Sequence, residues 1–148
     1  MNPLLAASPL PYGFPDFGAI REEHFAEAFS VAMAEQRAEI AAITAQPGPA
    51  TFEDTVVALE RSGGTLRRVS AVFSVLVGSL STPGIRDIEA RLAPELAAHA
   101  DAITLDPALF ARLEALRAAP PALDPESLRL LERKHRDAVR AGARLGPA

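Results

Sequence analysis

Three histidines, His24, His99 and His135, are the side chains best suited to bind a metal or move a proton. Glu95 stands four residues ahead of His99, a spacing that brings two side chains together on a helix. A zinc centre needs three protein ligands, normally with two on one helix. No two of these histidines lie within a few residues of each other, and no H-E-x-x-H occurs. His99 and His135 each fall on an apolar helical face, the pattern of a buried histidine satisfied by a local partner. There is no cysteine, which removes disulfides and thiolate metal sites. No serine occupies a G-x-S-x-G turn, and Ser70, Ser74, Ser79 and Ser81 accompany an apolar run in which they are expected to bond back to carbonyls. Gly63-Gly64 is not part of a phosphate loop, since the only lysine is Lys134. The carboxylate pairs Glu22-Glu23 and Glu53-Asp54 stand at helix starts, where capping and the helix dipole account for them. The expected number of catalytic, cofactor-binding and metal-binding residues is therefore none.

Charge narrows the partners. Of 148 residues, the first 74 carry 5 basic and 9 acidic side chains, and the remaining 74 carry 10 of each. Neither half is basic, which argues against nucleic acid. Arg129, Arg133, Lys134, Arg136, Arg140 and Arg144 do crowd the last helix, and a basic-helix nucleic-acid binder is the weakest alternative. Glu126, Glu132 and Asp137 interleave with them, and no aromatic stands among them for base stacking. Glu132–Arg136 and Arg133–Asp137 have ion-pair spacing. The longest uncharged apolar run, residues 69–80, is shorter than the roughly 20 residues a membrane helix needs. Met1-Asn2-Pro3-Leu4-Leu5 lacks the basic and apolar stretches of a signal peptide, so a cytoplasmic location is expected.

The elements that would position these groups are helices. Hydrophobic residues make up 49% and charged residues 23%, enough apolar material for a globular core. The expected fold is all-α, with five to six helices in an irregular antiparallel array behind an extended Pro-rich arm. The arm covers residues 1–20, with Pro3, Pro9, Pro11 and Pro15. It also carries Leu4, Leu5, Tyr12, Phe14, Phe17 and Ile20, more apolar bulk than a free tail needs, so it should lie against the body. Helical periodicity then covers residues 21–45, with Phe25, Phe29, Ala32, Met33, Ile40 and Ile43 on one stripe. Gln46-Pro47-Gly48-Pro49 ends it. Thr51 with Asp54 has capping-box spacing, ahead of Phe52, Val56 and Leu59, and Gly63-Gly64 interrupts.

Residues 65–80 fit both a helical stripe (Leu66, Val69, Phe73, Leu76, Val77, Leu80) and strand alternation. With no partner strand elsewhere, a buried helix enclosed on most sides is expected. Thr82-Pro83 opens the next helix, with Ile85, Ile88, Leu92, Leu96, His99 and Ile103 as its stripe and Pro94 as a kink or split. Asp106-Pro107 starts another with Leu109, Phe110, Leu113 and Leu116, stopped by Pro120-Pro121. Asp124-Pro125 starts the last, lined by Leu128, Leu131, His135, Ala138 and Val139 and fading near Gly142.

Several blocks resemble a known family. They are Asn2-Pro3-Leu4-Leu5, Phe17-Gly18-Ala19-Ile20-Arg21-Glu22-Glu23-His24-Phe25 and Met33-Ala34-Glu35-Gln36-Arg37-Ala38-Glu39-Ile40. Thr51-Phe52-Glu53-Asp54-Thr55, Val57-Ala58-Leu59-Glu60-Arg61-Ser62-Gly63, Ala93-Pro94-Glu95-Leu96-Ala97-Ala98-His99 and Leu130-Leu131-Glu132-Arg133 continue the series. Together they resemble the N-terminal region of thimet-oligopeptidase-type zinc metallopeptidases. The branch is that of bacterial dipeptidyl carboxypeptidase (a peptidyl-dipeptidase) and oligopeptidase A, nearer to the former. Asp54 stands where the family has Asn, Lys134 and Ala138 stand where aromatics are expected, and residues 79–85 match more loosely.

The resemblance implies a large two-lobed helical enzyme in which zinc is held by an H-E-x-x-H pair and a later Glu, and which cleaves short peptides. It implies that residues 21–148 form part of its non-catalytic N-terminal region and wall the substrate channel. The partners implied are the catalytic lobe of the same polypeptide and, for the whole enzyme, short peptide substrates, with no nucleic acid and no membrane. This stretch alone would carry no peptidase activity and no cofactor, zinc belonging to the full-length family. The alternative is a stand-alone helical protein-interaction module with no peptidase role.

Overall fold

The computed structural model describes residues 1–119 and 121–145. Among them the regular structure is helical throughout. A 3-10 turn, Pro11–Gly13, precedes α1 (His24–Thr44), a π-helical stretch (Phe52–Val57), α2 (Ala58–Arg61) and α3 (Gly64–Ser79). The chain continues through α4 (Pro83–Thr104), α5 (Pro107–Ala118) and α6 (Pro125–Ala141). The all-α expectation holds, and residues 65–80 are helix rather than strand.

The residues gather into two compact units. The first takes Met1–Gln36 and Gly63–Leu96; the second takes Arg37–Ser62 and the described residues from Ala97 onward. Of the expected arm over residues 1–20 and helical region over 21–148, Pro120 and residues 146–148 lie outside the described residues.

In the first unit the core is Leu4, Ile20, Phe25, Phe29, Met33, Val69, Phe73, Ile85, Ile88 and Leu92 with their neighbours. Three phenylalanine rings form its centre: Phe25 and Phe73 are 4.9 Å apart, Phe29 and Phe73 5.6 Å and edge-on, Phe25 and Phe29 6.4 Å. This is the favourable offset and edge-to-face geometry of aromatic pairs. The arm is tied on by polar contacts as well as by Leu4 and Ile20. Asn2 Nδ2 donates to the His24 carbonyl at 2.8 Å and to Glu27 at 3.0 Å, and Arg68 donates to the Leu4 carbonyl at 3.0 Å.

The arm is not buried along its whole length, however. Tyr12 and Phe14 point outward, because the chain turns away from the body at Pro11–Gly13. α1 begins at His24 rather than Arg21. Residues 21–23 form a tighter turn in which His24 N–H donates to the Arg21 carbonyl. Glu22 is thereby free to accept from the Thr82 hydroxyl at 2.6 Å, and Thr82 caps the Ile85 amide. α3 buries one face through Val69, Val72 and Phe73, but Val75 and Leu80 are exposed, so it is not enclosed on most sides. Gly63 sits at φ +69 before α3, in the left-handed region that favours glycine, and a Cβ there would meet the Gln36 side chain. α4 runs unbroken through Pro94; the missing amide removes one helical bond, while Leu92 stays buried ahead of it and Leu96 packs on the same core.

In the second unit two apolar clusters form. Val56, Leu113, Leu116 and Leu131 make one, and Ile40, Ile43 and Leu109 the other, with Leu59 and Ile103 packed against it. The Thr51–Asp54 capping box forms in both directions, at 3.1 and 3.0 Å. The helical stretch that it caps is π rather than α: the Ala58 amide reaches back to the Glu53 carbonyl. The wider turn places adjacent residues Thr55 and Val56 both inward, fully buried, which a 3.6-residue period does not anticipate. Asp106 caps α5 at the Leu109 amide, 2.8 Å, and Asp124 caps α6 at the Glu126 and Ser127 amides. α6 turns Leu131, His135 and Ala138 inward, leaves Leu128 exposed, and closes at Gly142 with φ +106.

Candidate functional site

Each histidine is held by a structural partner. His24 Nδ1 accepts the Arg21 amide at 3.0 Å, closing the turn that leads into α1. Buried His99 lies against Arg37, whose Nη1 is 3.5 Å from Nδ1. Burial, then the neighbouring guanidinium charge, pushes the His99 pKa down. His135, 4% exposed, places Nε2 2.5 Å from Glu114 and stacks on Phe110 at 5.5 Å between ring centres. Glu114 also accepts from Arg144 at 3.3 Å. Its pKa is lowered, first by the hydrogen bond to His135; burial opposes this, and the His135 and Arg144 charges assist it. Among the described residues no three His, Cys, Asp or Glu side chains gather where they could hold a metal ion.

A largely buried polar cluster around Arg112 was not anticipated from the sequence. Arg112, 9% exposed, donates Nε to the Thr55 hydroxyl (3.1 Å), Nη1 to the Gln46 carbonyl (3.2 Å) and Nη2 to Asp54 (2.8 Å). Thr55 in turn donates to Asp54 at 2.7 Å. One guanidinium thus ties α5 to the π-helical stretch and to the start of the loop after α1. Burial would raise the Asp54 pKa, but the bonds from Thr55, the Thr51 amide and Arg112 outweigh it and hold the carboxyl well below its usual range. The signal present in sequence was Asp54 in the capping box; nothing local marked Arg112 as its partner. The basic groups of α6 engage other elements, Lys134 pairing with Glu60 and His135 with Glu114. The pairs Glu132–Arg136 and Arg133–Asp137 are not among the ion pairs of the described residues. Arg117, Arg136, Arg140 and Arg144 line an open hollow of about 460 Å³ together with Glu132 and His135, a mixed-charge wall. No described helix is long and apolar enough to cross a membrane.

These shifts make a pH prediction. Asp54, Glu114 and His99 all have folded pKa values below their ordinary values of 3.8, 4.5 and 6.5. For each, the stabilising contribution is complete above the ordinary value and is lost as pH falls toward the folded one. Stability should therefore decline from pH 7 downward, first through His99 and then, below about pH 4.5, through Glu114 and Asp54. Urea midpoints between pH 7 and 3 measure this. Asp54→Asn should flatten the decline below pH 4, and an unchanged slope there would remove Asp54 as its source.

The arm tip is the other unusual feature. Tyr12 has φ +59, a left-handed backbone that a bulky residue rarely adopts and that costs on the order of 1–3 kcal/mol. Its ring is fully solvated, at 107% of reference exposure, and Phe14 is 60% exposed. The turn is well bonded: Gly13 N–H donates to the Leu10 carbonyl, Phe14 N–H to the Pro11 carbonyl, and Ser8 Oγ to the Phe14 carbonyl at 2.5 Å. Beside it opens a cavity of about 500 Å³, lined by Met1, Pro3, Ala6, Pro9, Gly13 and Val72 among others.

No family model matches the chain. A dipeptidyl carboxypeptidase of Escherichia coli (strain K12) is 41% identical over 150 residues, which takes in all of this chain and 22% of that protein. The dipeptidyl carboxypeptidase of Salmonella typhimurium (strain LT2) is 39% identical over 146 residues, 97% of this chain and again 22% of the relative. The resemblance seen in the sequence motifs therefore extends over the whole chain, and the chain spans about a fifth of the length of the relatives it matches.

Proposed function

We propose that this chain, similar throughout its length to a segment of bacterial dipeptidyl carboxypeptidases, serves as a non-catalytic helical part of such a zinc peptidase. In that role residues 21–148 give shape rather than chemistry. They pack on a catalytic lobe of the same polypeptide and wall a channel that admits short peptides. The zinc ligands and the water-activating carboxylate belong to the rest of the enzyme. The observation that carries this is the end-to-end identity with dipeptidyl carboxypeptidases. It is supported by the engagement of His24, His99 and His135 in helix-to-helix and turn contacts.

A segment exchange tests it. The E. coli dipeptidyl carboxypeptidase carrying this chain in place of its matching segment should fold and release dipeptides from a blocked tetrapeptide. The same enzyme with the segment deleted should not. This chain alone, supplied with stoichiometric zinc, should neither retain the metal through dialysis nor cleave the peptide. Dipeptide release by the isolated chain, or a folded exchange protein without activity, would refute the proposal.

A further inference from the structure

We infer that the arm tip, residues 10–14, is a docking surface for the remaining polypeptide of the peptidase, with Tyr12 and Phe14 as its anchors; this rests on the function proposed above. The tip is held, not frayed. Asn2, Leu4 and Arg68 fasten the arm before it, and Phe17 and Ile20 pack onto the core after it. Between these fastenings a bonded turn lifts two aromatic rings into solvent.

Single exposed apolar residues are ordinary on a protein surface. Here Leu10, Tyr12 and Phe14 are exposed within five residues, next to a cavity whose lining includes Pro9 and Gly13 of the same turn. The backbone adds an independent sign. A left-handed position favours glycine or asparagine, yet it holds a tyrosine whose ring makes no use of the body. Strain maintained at an exposed aromatic points to a contact made elsewhere.

Only 22% of the relatives corresponds to this chain, so most of such a peptidase lies outside it and must meet it somewhere. An apolar face in that remainder would receive Tyr12 and Phe14, while one of its own apolar side chains fills the cavity. Reciprocal filling of this kind is the usual form of a strong contact.

The test is the paired change Tyr12→Asn and Phe14→Ser, made in the isolated chain and in the exchange protein described above. Asparagine tolerates the left-handed turn and the Tyr12 ring is fully exposed, while Phe14 rests edge-on against Phe17 at 5.9 Å between ring centres, so the isolated chain should lose little melting temperature. The exchange protein should lose several-fold more with the same pair. Before substitution, amide exchange at residues 10–14 should be at least about tenfold slower in the exchange protein than in the isolated chain.

An active exchange protein whose stability ignores the pair, with equal exchange rates at the tip, would overturn the docking surface and leave the peptidase proposal standing. A folded but inactive exchange protein removes the peptidase proposal, while slowed exchange at the tip would still support docking. An exchange protein that does not fold overturns both. If the pair instead abolishes a dimer of the isolated chain and leaves the exchange protein unmoved, the surface belongs to a second copy and the inference fails.

Discussion

Truncating Phe25 to alanine should lower the unfolding free energy by about 3–5 kcal/mol. Phe25 has no solvent exposure and lies between Phe29 of its own helix and Phe73 of α3. Removing its ring deletes apolar contact area and leaves a cavity. The remaining walls are themselves buried rings and branched side chains, including Phe29, Phe73 and Ile85, and they cannot collapse into the space without leaving their own rotamers. For a chain of this size the change corresponds to a melting temperature lower by on the order of 10 °C. Urea denaturation with a fitted slope measures it. A loss below about 1 kcal/mol would mean that the three rings do not form the centre of the first unit.

Arg112→Met is the second large effect, a loss of about 2–4 kcal/mol. Methionine matches the aliphatic stem but returns none of the three hydrogen bonds to Thr55, Gln46 and Asp54. Removing one partner of a fully buried pair costs about 3–5 kcal/mol. The Asp54 side chain keeps 30% exposure, so solvent screens part of the loss. Asp54 also retains the Thr51 amide and the Thr55 hydroxyl, which limits the damage further. Arg112→Lys should restore little, because an ammonium cannot reach three acceptors in the geometry of a guanidinium fork. A double-mutant cycle with Asp54→Asn should give a coupling of about 1 kcal/mol or more. Free energies that add within about 0.5 kcal/mol would show that the two side chains act independently.

Both effects also separate what was legible in the sequence from what was not. The phenylalanine cluster was visible as periodicity, since Phe25 and Phe29 stand one turn apart and Phe73 lies on a second apolar stripe. The Arg112 cluster had no such mark. Residues 46, 54, 55 and 112 are brought together only by folding, and the π-helical turn that directs Thr55 inward departs from the period on which stripes are recognised. The arm shows the same boundary. Its prolines and its apolar bulk were readable, and Leu4 and Ile20 are buried as expected. The outward swing at Tyr12 was not readable, because tyrosine gives no local sign of a left-handed backbone.

The histidines divide in a similar way. Their apolar settings and the absence of an H-E-x-x-H motif were visible at once. The partners chosen, Arg37 for His99 and Glu114 for His135, come from other elements. The exposed residues in and just after α3 likewise depend on neighbours: Val75 and Leu80 have the composition of a core yet stand in water.

Local chemistry in the sequence by itself determined the helices, their caps at Thr51, Asp106 and Asp124, the apolar faces and the resemblance to dipeptidyl carboxypeptidases, because each is written in residues a few positions apart. Tertiary structure alone decided which polar groups pair, which residues gather into each of the two units, and which apolar residues remain in water. Those outcomes depend on contacts between residues distant in sequence, whose energies exist only once packing has brought them within reach.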